Sequence, residues 1–106
     1  MIGVRVEGTS VVVTIDGNLT AGEPEVRLLE VVEELVSERA EIVDVDFASV
    51  SFVDSSGLGA LVRSHTCCLS AGTAFRLLNL RPEIHNIMKM ARLTDVFQIQ
   101  EHDAGR

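Results

Sequence analysis

The sequence predicts a single α/β domain: a mixed β-sheet with its helices mainly on one face, in the order β-β-α-β-α-β-α-β. Three observations carry that expectation. Apolar and polar residues alternate in two short runs at the start, joined by a turn, as in an antiparallel hairpin. Strand-like and helix-like runs then follow one another, and helical crossovers between successive strands imply parallel neighbours joined right-handedly. A chain of 106 residues, 46% of them hydrophobic, suits one core. No repeat, linker or low-complexity tract divides it, so residues 1–106 are expected to form one domain.

The hairpin is expected from Ile2, Val4 and Val6, the turn Gly8, Thr9, Ser10, and the run Val11, Val12, Val13, Thr14, Ile15. Gly17, Asn18 and Gly22 break the pattern. Pro24 then suits a helix start, where its missing N–H would be unsatisfied anyway. Leu28, Leu29, Val32, Leu35 and Val36 fall on one helical stripe, and Glu30, Glu33, Glu34 and Glu38 lie opposite, ordinarily a solvated face. From Ile42 to Phe47, Val43, Val45 and Phe47 alternate with Asp44 and Asp46, so one side of the sheet should be partly wet.

After a loop from Ala48 to Asp54, the residues Leu58, Leu61, Val62, His65 and Leu69 recur at helical spacing, with Gly72 placed to end the helix. Leu58, Leu61 and Leu69 should therefore be buried against Val43 and Val45. Ala74 to Leu78 reads as a short strand. Pro82 starts a helix with Ile84, Ile87, Met88 and Ala91 on one face, and Val96, Phe97 and Ile99 suggest a last strand.

Charge and cysteine usage narrow the function. The net charge is −7, with most acidic residues before position 55 and most basic ones after it. Binding nucleic acid ordinarily needs a lysine and arginine surface with interleaved aromatics, and the four aromatic residues here, all Phe, do not supply it. A protein partner fits better. No run of about 18 apolar residues could enter a membrane, and the first twenty residues lack a basic start and an apolar stretch, so a cytoplasmic setting is expected. Adjacent Cys67 and Cys68 point about 100° apart on a helix, which disfavours a disulfide and leaves Cys68 for the core. No Cys or His pair stands at metal-ligand spacing, and neither a metal nor another cofactor is expected.

The most informative stretch runs Val50, Ser51, Phe52, Val53, Asp54, Ser55, Ser56, Gly57, Leu58, Gly59. Asp54, Ser55 and Ser56 can each cap a helix, and two glycines permit close packing. The same helix start offers free backbone N–H groups and the positive end of a dipole, where a phosphate could be accommodated. Ser55 and Ser56 are thus both candidate phosphoacceptors. His65 has no evident acid or nucleophile partner and is read as a packed residue.

With Asp46 closing a strand and Asp54, Ser55, Ser56, Gly57, Leu58, Gly59 opening a helix, residues 42–61 strongly resemble the signature of STAS-domain anti-sigma factor antagonists. The likeness continues more weakly through Gly17 and Leu19, and from Pro82 to Ile99. Two departures stand out: Thr20 occupies a position where the family often has Asp, and residues 101–106 are too few for its usual full final helix. The resemblance implies a STAS-like sheet and a non-enzymatic regulator of sigma-factor-dependent transcription. In that family the first serine after the aspartate is phosphorylated, which maps to Ser55. The implied partners are an anti-sigma factor serine kinase, which supplies the ATP, and a phosphatase that resets Ser55. Asp46, Asp54, Ser55, Ser56, Gly57 and Gly59 would form the docking surface.

Two other readings remain. An accessory STAS domain that regulates a transporter or binds a small ligand would share the fold and dispense with the phosphorylated serine. An enzyme with Ser55 as nucleophile is poorly supported, because Val53 replaces the first glycine of a Gly-x-Ser-x-Gly elbow. No Walker-type phosphate loop occurs either.

Overall fold

The computed structural model describes residues 1–100, which contain five strands and three helices. These are β1 (Ile2–Glu7), β2 (Ser10–Asp16), α1 (Glu23–Ser37), β3 (Ile42–Ser49), α2 (Ser55–Ala71), β4 (Ala74–Leu78), α3 (Pro82–Met90) and β5 (Gln98–Gln100). The sheet runs β1-β2-β3-β4-β5, with β1 antiparallel to β2 and every later neighbour parallel. The order is the one expected from the hydrophobic pattern. The expectation for residues 101–106 lies outside the described residues.

Register separates the two sides of the sheet. One row across it is Val4, Val13, Val45, Leu77 and Ile99. Its three central members belong to the main core together with Leu28, Val32, Leu61, Ile84 and Met88 from the helices. The next row is Arg5, Val12, Asp44, Arg76 and Gln98, on the opposite side because successive side chains alternate. Helices therefore cover one face. On the other, Asp44 is buried rather than wet: Arg76 donates to both its carboxylate oxygens, at 2.6 and 2.8 Å, in a bidentate pair. That pair also holds the Arg76 guanidinium pKa above its ordinary value, through the hydrogen bond to Asp44.

The helix starts follow the sequence closely. Pro24 and Pro82 stand in the first turns of α1 and α3, and Asp54 caps α2. Gly72 ends α2 at φ 75°, a left-handed conformation that costs glycine little, and its neighbourhood returns N–H groups to the Cys68 and Leu69 carbonyls.

The buried face of α2 differs from the expectation. Gly57, Ala60, Leu61, Ser64 and Cys68 are buried, whereas Leu58 is half-buried and Leu69 is 69% exposed. The seam lies one residue away from the stripe of large side chains, because small residues let α2 pack closely against α1. Smaller differences occur elsewhere. Ser10 already belongs to β2, Val31 joins the buried face of α1, Ala91 is exposed, and β5 starts at Gln98 after a turn that buries Phe97 and leaves Val96 exposed.

Candidate functional site

Past the ends of β2 and β3, the chain keeps two segments side by side. Leu19 N–H donates to the Phe52 carbonyl at 3.0 Å, Asp54 N–H donates to the Leu19 carbonyl at 3.2 Å, and Leu19 and Val53 form a parallel bridge. Gly17 N–H reaches the Ser49 carbonyl at 3.3 Å, and the Ser51 hydroxyl donates to Asn18 Oδ1 at 3.0 Å. Leu19, Val50 and Val53 point into the core. Their burial anchors both loops from below, so the loop surface is held at a fixed height over the sheet.

Asp54 joins this platform to α2. Its Oδ1 accepts the Gly57 N–H at 2.8 Å, as an N-cap should, and its Oδ2 accepts the Ala21 N–H at 3.0 Å from the neighbouring loop. The Ala21 amide, followed by that of Gly57, holds the Asp54 pKa below its ordinary value of 3.8. The carboxylate is therefore ionised at neutral pH, with each oxygen engaged within the chain.

The two glycines play different parts. Gly57 is buried, and a Cβ added there would lie 2.2 Å from the Leu19 carbonyl oxygen, so only glycine lets α2 meet the loop backbone. That contact accounts for the residue without any partner. Gly59 is half-buried, and a Cβ there would meet only the end of the Arg63 side chain, at 3.3 Å.

Ser55 is exposed at the first position of α2, while Ser56 is half-buried. Among the described residues neither hydroxyl has a hydrogen-bond partner. The structure thus brings Asp54, Ser55, Ser56, Gly57 and Gly59 together at one helix start. Asp46 stands apart from them. Its Oδ1 accepts from the Ala48 N–H at 2.9 Å and from Asn79 Nδ2 at 3.0 Å, toward the uncovered side of the sheet.

Three contributors to this site had escaped the residue pattern. Ala21 acts only through its backbone, Leu19 through its carbonyl, and Phe52 through an exposed ring on the same loop. A run of loop residues carries no periodic signal that would reveal such contacts, and Phe52 shares its loop with the apolar Val50 and Val53, so nothing in the sequence marks it as the exposed one of the three.

His65 packs its ring against Phe75 and Phe97, with centroids 6.0 and 5.6 Å away, and its Nδ1 has no hydrogen-bond partner among the described residues. Among the described residues the imidazole sits in an aromatic cluster without an orienting acid. Cys68 is fully buried, and desolvation pushes its thiol pKa up to about 12, which keeps it protonated and unreactive. No helix of the described residues is long and apolar enough to cross a membrane.

The STAS domain family profile matches residues 2–104. Among solved structures, a Thermotoga maritima protein described as an anti-sigma factor antagonist aligns with a TM-score of 0.86 at 16% identity, covering 98% of this chain and 88% of that one. SpoIIAA of Bacillus in its phosphorylated form aligns at 0.76 with 18% identity, over 99% of this chain and 94% of its own. A sulfate transporter family protein from Wolinella succinogenes aligns at 0.75 with 18% identity, over 93% and 83%. At such identities these likenesses show a common fold.

Proposed function

The chain belongs to the STAS domain family, and from that premise we propose that it is an anti-sigma factor antagonist switched at Ser55. Unmodified, it binds an anti-sigma factor kinase and so frees a sigma factor. The kinase then uses its own ATP to phosphorylate Ser55: the hydroxyl oxygen bonds to the γ-phosphorus, the proton leaves, and ADP departs. The modified domain is released, and a phosphatase restores the serine by hydrolysis. On this reading the chain is a non-enzymatic, cytoplasmic binding protein that regulates transcription through its partner.

The observation that supports the reading is the contrast at the start of α2. Asp54 is committed to Ala21 and Gly57, Gly57 is sealed under Leu19, and Ser55 alone of the two serines is exposed. The capped helix start fixes the backbone that carries that hydroxyl, so docking a kinase over it need not order a loop first.

A second reading rests on the likeness to the Wolinella transporter family protein, in which a domain of this fold would serve as an accessory module. Incubation with ATP and the cognate kinase separates the two. The proposal expects one phosphate by intact mass, mapped to Ser55, absent from Ser55→Ala and retained by Ser56→Ala. Phosphate on Ser56 would move the site. No incorporation, with a tight complex to transporter subunits instead, would favour the accessory module.

A further inference from the structure

We infer that Phe52 is the apolar anchor by which this domain docks its kinase, inserted into a hydrophobic pocket beside the kinase's phosphate-transfer site. The inference deepens the Ser55 reading and rests on it. Of the four phenylalanines, Phe47 is fully buried and Phe75 and Phe97 nearly so, while Phe52 is 50% exposed. Its ring stands on the surface segment that leads, within three residues, to Ser55.

Other exposed large apolar side chains lie elsewhere: Val4 and Val6 on β1, Val26 on α1, and Leu69 and Met90 near the ends of α2 and α3. None combines an aromatic ring with a place on the platform. The backbone beneath Phe52 is unusually well fixed for a loop. Its carbonyl accepts the Leu19 N–H at 3.0 Å, Val53 next to it is buried and bridged to Leu19, and Ser51 before it is tied to Asn18. A ring presented on a fixed backbone loses little freedom on binding, and aromatic residues of this kind dominate interface energies when a pocket desolvates them.

The surroundings define the pocket's chemistry. Ser51, which precedes the ring in sequence, already has its hydroxyl satisfied by Asn18 of the neighbouring loop, whereas Asp54, two residues after the ring, carries an ionised carboxylate. The complementary surface is an apolar cleft with polar edges and a positive charge on the Asp54 side. Phosphate on Ser55 would then add charge near a desolvated contact, which links occupancy of the pocket to the modification state.

The experiment uses the intact chain and the purified kinase, identified as the ATP-dependent protein that phosphorylates Ser55. Phe52→Ala is expected to weaken the complex by about 30-fold or more, and Phe52→Tyr by no more than about threefold, since the ring is retained. Phe52→Ala should keep the wild-type melting temperature, and as a kinase substrate it should show a raised KM with kcat near wild type. Binding of Phe52→Ala within threefold of wild type would overturn the anchor and leave the Ser55 reading standing. A loss of binding that merely tracks a fall in melting temperature would also overturn it. If the wild-type chain is neither bound nor phosphorylated by any such kinase, the Ser55 reading fails and the anchor falls with it.

Discussion

At Asp54 one carboxylate satisfies two backbone amides from distant parts of the chain, that of Ala21 in the loop before α1, 33 residues from Asp54, and that of Gly57 in the first turn of α2. Because those bonds lower its folded pKa, their contribution is fully present above the unfolded value near 4 and is lost as pH falls through the lowered folded value. Asp54→Ala should therefore melt below wild type at neutral pH, and the gap should narrow below about pH 4; thermal denaturation across pH checks this. A gap independent of pH would mean that the charge is irrelevant to the clamp. Gly57 makes a sharper test. A methyl group there collides with the Leu19 carbonyl, so Gly57→Ala should cost about 1 to 3 kcal/mol in urea denaturation, as overpacking does. Gly59→Ala should be neutral or gain up to about 1 kcal/mol, because helix propensity favours alanine and only the Arg63 side chain must shift. The resemblance implies a docking surface that includes both glycines, while the sequence pattern reads them as room for close packing at a helix start. That pattern could show a capping residue followed by small ones, a local feature, but the loop pressing on Gly57 comes from elsewhere in the chain.

Helix α2 carries the corresponding lesson for an element. Its large apolar residues suggested the stripe Leu58, Leu61, Val62, His65 and Leu69, yet the buried seam is Gly57, Ala60, Leu61, Ser64 and Cys68. Hydrophobic periodicity favours large side chains, whereas close helix packing selects small ones, so the two rules differ by one residue of rotation. Leu61 belongs to both sets. Leu61→Ala should destabilise by about 2 to 5 kcal/mol, and Leu69→Ala by less than about 0.5 kcal/mol, as chemical denaturation would show. Comparable losses at the two positions would place the seam wrongly. The strands were more legible: β4 occupies the segment expected, and Val43, Val45 and Phe47 all face the core. The Asp44–Arg76 pair was not, since its partners lie on different strands 32 residues apart and meet only when β3 and β4 come into register.

For the whole molecule, the strand order was readable because three signals agree: the period of two in the strands, the helical period between them, and the right-handed crossovers that set all three helices on one face. Parallel strands bring their carboxyl ends to one edge, and the segments following β2 and β3 meet there and carry Ser55. The sheet and α2 hold that edge from behind, so a change at Ser55 need act only on what docks there. Phosphorylation adds about −1.5 to −2 charges next to the ionised Asp54, and a hundredfold loss of partner affinity requires only about 2.7 kcal/mol. The most direct measurement is the dissociation constant of the purified kinase complex, taken with the unmodified chain and with the chain phosphorylated on Ser55, while far-UV circular dichroism follows the fold. The account predicts weakening by about a hundredfold, unchanged secondary structure, and weak binding by Ser55→Asp. Equal affinity for the two forms would contradict it.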